Sequence, residues 1–243
     1  MTRFFVDMPL EVNQQTTLPD TVFHHWIRVL RAQTGEQATL FNGQGGEYRA
    51  TLQDIQKKTA TVYIDQFNPV NRAPTYQVTL GQVMSKGDRM DYAIQKATEL
   101  GVHAIQLLVS ERCEMRLKYE RDQKKIEHWQ QVAIAACEQC GMNIVPKILA
   151  PLTLEDWLLQ PCSSDTKKLV LAPAQQAIRF GMPFPSFFYL LVGPEGGLSD
   201  AEIELANAHG FQNWTLGERI LRTETAPVAA LSALLFAESC YPA

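Results

Sequence analysis

The chain contains no apolar run near the ~18 residues that a bilayer-spanning helix requires. Its opening, MTRFFVDMPLEV, has neither the long apolar core nor the cleavage site of a secretory signal. A membrane protein is therefore not expected, and a cytoplasmic location is. Cysteine is scarce: five residues, Cys113, Cys137, Cys140, Cys162 and Cys240, an odd number with no framework spacing, as suits a reducing compartment. Cys137 and Cys140 form a lone CxxC, and without a second ligand pair no metal site is expected; the two read as small thiols in a helical run. Also missing are the dinucleotide spacing GxGxxG and the phosphate-loop spacing GxxxxGK[ST], which argues against a Rossmann-type nucleotide enzyme. Internal repeats and low-complexity tracts are absent as well. There is no cationic excess either, since the formal net charge is −4.

The distribution of charge says more than its sum. Residues 1–73 carry 7 Lys/Arg against 7 Asp/Glu, residues 74–150 carry 10 against 9, and residues 151–243 carry 5 against 10. Cations are thus concentrated in the first two-thirds, where a local basic face would contact phosphates whatever the whole-chain charge.

With 243 residues, 46% hydrophobic and 20% charged, the chain has material for one large or two modest globular domains. Residues 1–72 read as a small β-rich module. TLFNGQGGEYRATL and TATVYIDQF alternate apolar with polar residues, and NGQGG (42–46) is a hairpin-type turn. One helix interrupts them, PDTVFHHWIRVLRAQTG, with Val22, Trp26 and Val29/Leu30 expected on one face and Gly35 as its stop. NPVNRAP (68–74) reads as a linker. Residues 73–243 alternate strand and helix. YQVTLGQVM, VHAIQLLVS, KLVLA (168–172), FFYLLVG (187–193) and WTLG (214–217) read as strands. GDRMDYAIQKATELG, residues 120–139 and 226–239 read as helices, and Ser199-x-x-Glu202 as the capping box of another. Such alternation implies an α/β domain with a mostly parallel sheet.

Two segments carry the chemistry. In LLVGPEGGLSDAEI (190–203) a buried strand runs through Gly193, Pro194, Glu195, Gly196 and Gly197 into a capped helix. Its glycines let a ligand lie against bare backbone, and a side chain at Gly196 is expected to occupy the ligand's space. Ligands bind at such strand ends in open α/β sheets. In LGERILRTETA (216–226) a strand ends at Gly217 and a polar stretch precedes an apolar helix, with Thr225 a candidate N-cap. Residue chemistry alone supports a ligand site and leaves the ligand open.

Together these segments resemble the SPOUT superfamily of methyltransferases, and within it the RsmE family of 16S rRNA uridine-N3 methyltransferases. The similarity continues through Arg3-Phe4-Phe5, HHWIRVLR (24–31), LFNGQGGEY (40–48), QKATELGV (95–102), SERCEMRL (110–117) and ACEQCG with its following VP (136–146). The resemblance implies an N-terminal PUA-like β-barrel that binds RNA and a C-terminal α/β domain with a deep trefoil knot. It also implies a homodimer and S-adenosylmethionine as cofactor. The cofactor would be held by Leu171, Ala172 and Pro173, by Gly193 to Gly197, and by Leu216, Gly217, Ile220, Leu221, Arg222, Thr223 and Thr225. The reaction implied is methylation of N3 of a specific uridine in small-subunit rRNA, with that rRNA or the subunit as partner.

Arg222, inside the cofactor loop, is the candidate to stabilise negative charge on the uracil, and Glu224 to orient it or accept the N3 proton. Arg3, His25, Arg28, Arg31, Lys86, Arg112 and Arg116 are candidate RNA contacts, with Arg89 and Lys118 nearby in sequence. The family usually shows Arg-Asn-Arg after EQCG, whereas this chain has Met142-Asn143-Ile144. A different RNA target, a ribose 2′-OH target or a non-catalytic RNA-binding assembly factor stays open, although intact GPEGG and RILRTETA disfavour the last.

Overall fold

In the computed structural model, residues 2–115, 119–174, 178, 180 and 183–240 are described. They form two compact units: residues 1–73 with 137–145, and residues 74–136 with 146–243. Segment 137–145 belongs to the first unit despite its distance in sequence.

The first unit is a five-stranded sheet in the order β1-β3-β4-β5-β2. Its strands are β1 (Arg3–Phe5), β2 (Gln15–Thr17), β3 (Gln37–Phe41), β4 (Glu47–Ile55) and β5 (Ala60–Asn68). Only β1 and β3 run parallel. The alternation read from the sequence turns Ala38, Leu40, Ala50, Leu52, Val62 and Ile64 inward, where they pack with Phe4, Val22 and Trp26. The helix between β2 and β3 departs from the expectation. It is a single α-helical turn, α1 (Asp20–Phe23), followed by a π-helical stretch, His24–Val29. The Leu30 amide bonds to the His25 carbonyl, five residues back, so each residue turns less around the axis than in an α-helix and the side chains fall behind α-helical positions. Ile27 is buried as a result, while Val29 and Leu30, expected inside, are exposed. Arg31 ends the helix, not Gly35: its φ is +58° and the Ala32 amide reaches back to the Trp26 carbonyl at 3.1 Å.

The second unit is a six-stranded, wholly parallel sheet in the order β11-β9-β10-β6-β7-β8. These strands are β6 (Gln77–Val83), β7 (Ala104–Val109), β8 (Lys147–Thr153), β9 (Lys167–Leu171), β10 (Phe187–Val192) and β11 (Gln212–Trp214). Helices α2 (Asp88–Glu99), α3 (Tyr119–Cys140), α4 (Leu154–Leu158), α5 (Asp200–Ala208) and α6 (Thr225–Ser239) connect or follow them. Parallel strands are covered on both faces, so FFYLLV and AIQLLV are nearly continuous apolar runs. In β6, Gly81 leaves room for the Trp157 ring, since a Cβ there would stand 2.4 Å from it.

β11 begins at Gln212, ahead of the expected Trp214, and stops at Trp214, leaving Thr215 to Gly217 in a loop. The capping box at α5 forms as read, with the Ser199 hydroxyl and Glu202 carboxylate each accepting the other's amide. Thr225 is not an N-cap: it is the first residue of α6, and its amide and that of Ala226 bond to the Arg222 carbonyl. No described helix is long and apolar enough to cross a membrane.

Candidate cofactor site

The register of the parallel sheet brings three chain ends to one edge. Val192 of β10 pairs with Gln82 of β6, Leu191 with Val170 of β9, and Trp214 of β11 with Leu171. Beyond that edge lies a cavity of about 460 Å³, within the range of sites that enclose a small molecule.

The cavity is lined by the loops chosen from the sequence. After β9 come Leu171, Ala172 and Pro173; after β10, Gly193, Pro194, Glu195 and Gly197; from the third segment, Leu216, Gly217, Ile220, Leu221 and Thr223. Three chosen residues lie outside the lining. A Cβ on Gly196 would face the Arg112 side chain at 3.6 Å, so Gly196 backs onto protein and the expected loss of ligand space falls on Gly197 instead. Arg222 is exposed and, like Thr225, does not line the cavity. The sequence did not single out Val192, Leu198, Ile203, Trp214, Thr215, Glu218, Arg219 or Ala226, which complete the wall. Most flank the two motifs, so adjacency was the available signal; Ile203 is four residues past the Ser199 cap, on the first turn of α5.

The loops are held by specific bonds. Thr223, buried, donates its hydroxyl to the Gly193 carbonyl at 2.8 Å and accepts from Gln82 Nε2 at 3.2 Å and Ser85 Oγ at 3.4 Å. One side chain thus ties the third loop to the second and to the end of β6. Asn213 Nδ2 donates to the Pro173 carbonyl at 2.9 Å, fixing the first loop against β11. The Gly197 amide closes a turn on the Pro194 carbonyl.

We expect Thr223→Val to lower stability by about 1–3 kcal/mol, because it leaves the Gly193 carbonyl without its buried donor and removes one of the two acceptors of the Gln82 amide. Urea denaturation measures this, and Thr223→Ser should restore most of it; unchanged stability in the valine variant would show the network to be idle.

Two arginines brace the glycine turn from outside. Arg89 pairs with Glu195 at 2.7 Å. Burial opposes ionisation of Glu195, but its own amide, the Arg89 guanidinium and the Lys86 amide together hold the carboxyl below the usual carboxylate range. Arg112 donates from one nitrogen to the carbonyls of Gly196 (3.0 Å) and Leu198 (3.4 Å). It is placed there by Glu202, whose second carboxylate oxygen accepts the neighbouring Glu111 amide at 2.7 Å.

The candidate RNA contacts meet mixed fates. Arg112, as just described, is engaged with the cofactor loop, and Lys86 pairs with Glu114 at 2.7 Å. Within the first unit, Arg3 is mostly buried: it pairs with Glu47 and donates to the Gly141 and Met142 carbonyls and to Asn143 Oδ1 at 2.7 Å. It is a structural clamp, not a free cation. Arg28 donates to the Lys57 carbonyl and lies over the Phe23 ring, yet stays exposed. His25 is exposed with its ring edge-on to Phe4, and Arg31 is exposed with no partner among the described residues. Arg116 and Lys118 lie outside the described residues.

Met142 is buried against Phe41 and Cys137, and the Ile144 carbonyl accepts the Cys137 thiol at 3.6 Å. Apolar packing of Met142 therefore occupies the place of the first missing cation. Burial pushes the Cys137 thiol up to about 12, which makes it an inert core group.

Comparison with known proteins agrees with this geometry. Residues 71–235 match a family model for an RNA methyltransferase domain, and residues 18–65 one for an RNA methyltransferase PUA domain. The ribosomal RNA small subunit methyltransferase E of Buchnera aphidicola (subsp. Schizaphis graminum) is 34% identical over 96% of this chain and 94% of its own. That of Bacillus subtilis is 30% identical over 97% and 96%. Among solved structures, the Neisseria gonorrhoeae ribosomal RNA small subunit methyltransferase E bound to S-adenosyl methionine superposes with a TM-score of 0.89 at 38% identity, covering 99% of this chain and 98% of that one. A Legionella pneumophila methyltransferase structure with bound SAM gives 0.90 at 38% identity and 97% coverage of both chains. With two-thirds of its length matched by the RNA methyltransferase model and nearly all of it by these relatives, the chain belongs to the ribosomal RNA small subunit methyltransferase E family.

Proposed function

We propose that this chain is an S-adenosylmethionine-dependent rRNA methyltransferase that modifies N3 of one uridine in the small-subunit (16S) RNA. The observation that carries the cofactor is the coincidence of the strand-end cavity with the two motif loops, in a chain whose relatives are solved with that cofactor bound. The residues present suit it. Apolar side chains such as Leu171, Val192 and Leu216 suit an adenine ring, bare backbone at Gly197 and Gly217 permits close approach, and charged residues serve the amino-acid end. When bound, S-adenosylmethionine supplies an electrophilic methyl group on a sulfonium.

The chain's own task is to prepare the nucleophile. Uridine N3 carries a proton and is weakly nucleophilic, so that proton must be lost and the resulting negative charge stabilised. Arg222, exposed between the lining residues Leu221 and Thr223, offers its guanidinium to a uracil oxygen in this reading. Glu224, partly buried just before α6, orients that guanidinium or takes the N3 proton. Because N3 is on the Watson–Crick edge, the base is presented unpaired or flipped.

In this reading residues 1–72, together with 137–145 of the same unit, form the RNA-binding module, and the rest of 73–243 the catalytic, knotted domain. His25, Arg28 and Arg31 are the side chains taken to meet phosphate in this reading, since each is exposed. A homodimer is supported by Tyr92, Ile220 and Phe236, large apolar side chains of the second unit left exposed. A cytoplasmic location follows from the substrate. Incubation with small ribosomal subunits and S-adenosylmethionine, followed by mass spectrometry of the rRNA nucleosides, tests the assignment. We expect 3-methyluridine; a ribose-methylated nucleoside in its place would refute it.

A further inference from the structure

A cavity for S-adenosylmethionine must receive, beside the sulfonium, the two charges of opposite sign at its amino-acid end. The charged residues lining this one are Glu195, Glu218 and Arg219. Glu195 is already neutralised by Arg89 at 2.7 Å. Glu218 and Arg219 make no hydrogen bond or ion pair with any of the described residues, nor with each other. The wall therefore offers one unpaired carboxylate and one unpaired guanidinium, and otherwise neutral or apolar groups. A guanidinium carries donors in a planar fork that matches a carboxylate, and Arg219 and Glu218, both exposed, are free to turn to a ligand. Arg222, by contrast, is outside the lining.

We infer that Arg219 binds the carboxylate of S-adenosylmethionine and makes the cavity selective for cofactors that keep the amino-acid end. The inference rests on the cofactor reading of the same cavity. S-adenosylmethionine has no phosphate, so its carboxylate is the one anionic group that a cation in this wall can meet. The ligand's ammonium has its counterpart in Glu218. Arg219 is thus a specificity residue, and the methyl transfer itself does not pass through it.

Calorimetry with S-adenosylmethionine and with decarboxylated S-adenosylmethionine, on the wild type, Arg219→Gln and Arg219→Lys, tests this. The decarboxylated compound keeps the nucleoside, sulfonium and ammonium and lacks only the carboxylate. The wild type should prefer the intact cofactor by roughly ten- to hundredfold. Arg219→Gln should erase that preference by weakening only the intact cofactor, and Arg219→Lys should keep part of it. A wild type that does not discriminate, or a glutamine variant that loses both ligands equally while still folded, overturns the inference. So does a glutamine variant that binds the cofactor normally and loses only RNA in a filter-binding assay, because Arg219 would then be a phosphate contact. Folded wild type that binds neither compound would remove the cofactor reading, and this inference with it.

Discussion

Gly197→Val should weaken S-adenosylmethionine binding by about a hundredfold or more, equivalent to ~2.8 kcal/mol, while leaving the protein folded. Gly197 has a φ of +69°, where a β-branched residue is strained. A Cβ built there meets nothing within 4 Å, yet the residue lines the cavity, so the empty space beside it is ligand space. The substitution both distorts the turn and fills the site. Gly196→Ala is the matching control. Its Cβ would make ordinary contact with Arg112, and affinity should change by less than about threefold, as at a permissive surface site. Calorimetry gives the affinities and thermal unfolding the folding check. Wild-type affinity in Gly197→Val would mean that the ligand lies elsewhere.

Arg222→Ala should lower kcat by about 10²–10³-fold, the usual loss when one donor to a developing negative charge is removed. Cofactor affinity should stay within about threefold, since the side chain contributes nothing to the cavity wall. The role of Arg222 as helix support survives, because the group that holds the Thr225 and Ala226 amides is its backbone carbonyl. Single-turnover formation of 3-methyluridine under saturating cofactor reads kcat directly. A variant with lost affinity and normal turnover would reassign Arg222 to cofactor binding.

Much of this architecture is written locally. A strand buried on both faces must be apolar throughout, so β7 and β10 announce themselves, and the Ser199–Glu202 box marks α5 because its bonds span three residues. The cofactor loops are legible for the same reason: glycines and a proline at a strand end are a local signal. Roles set by distant contacts are not legible. Arg112 finds its carbonyl partner 84 residues away, and Arg3 finds Asn143 140 residues away, so each looks like a free surface cation in the sequence. The π-helical stretch escapes for another reason. A six-residue stretch of shifted hydrogen bonds moves Val29 and Leu30 to the surface without altering the composition that suggested a buried face. Gly196 and Gly197 are chemically identical in the sequence, and only φ and neighbours separate the one facing protein from the one facing ligand.

The inclusion of 137–145 in the first unit bears on how this protein can be dissected. The chain leaves that unit after Ala73, re-enters at Cys137 and leaves again after Val145. A fragment ending at residue 73 would lose Met142 and Cys137 from above Phe41, and would strip Arg3 of the Asn143 oxygen and the Gly141 and Met142 carbonyls. A fully buried phenylalanine and a guanidinium would be uncovered together. The N-terminal module is therefore not a transplantable cassette: grafting it onto another enzyme requires carrying the end of α3 and the turn after it, or redesigning the surface they cover.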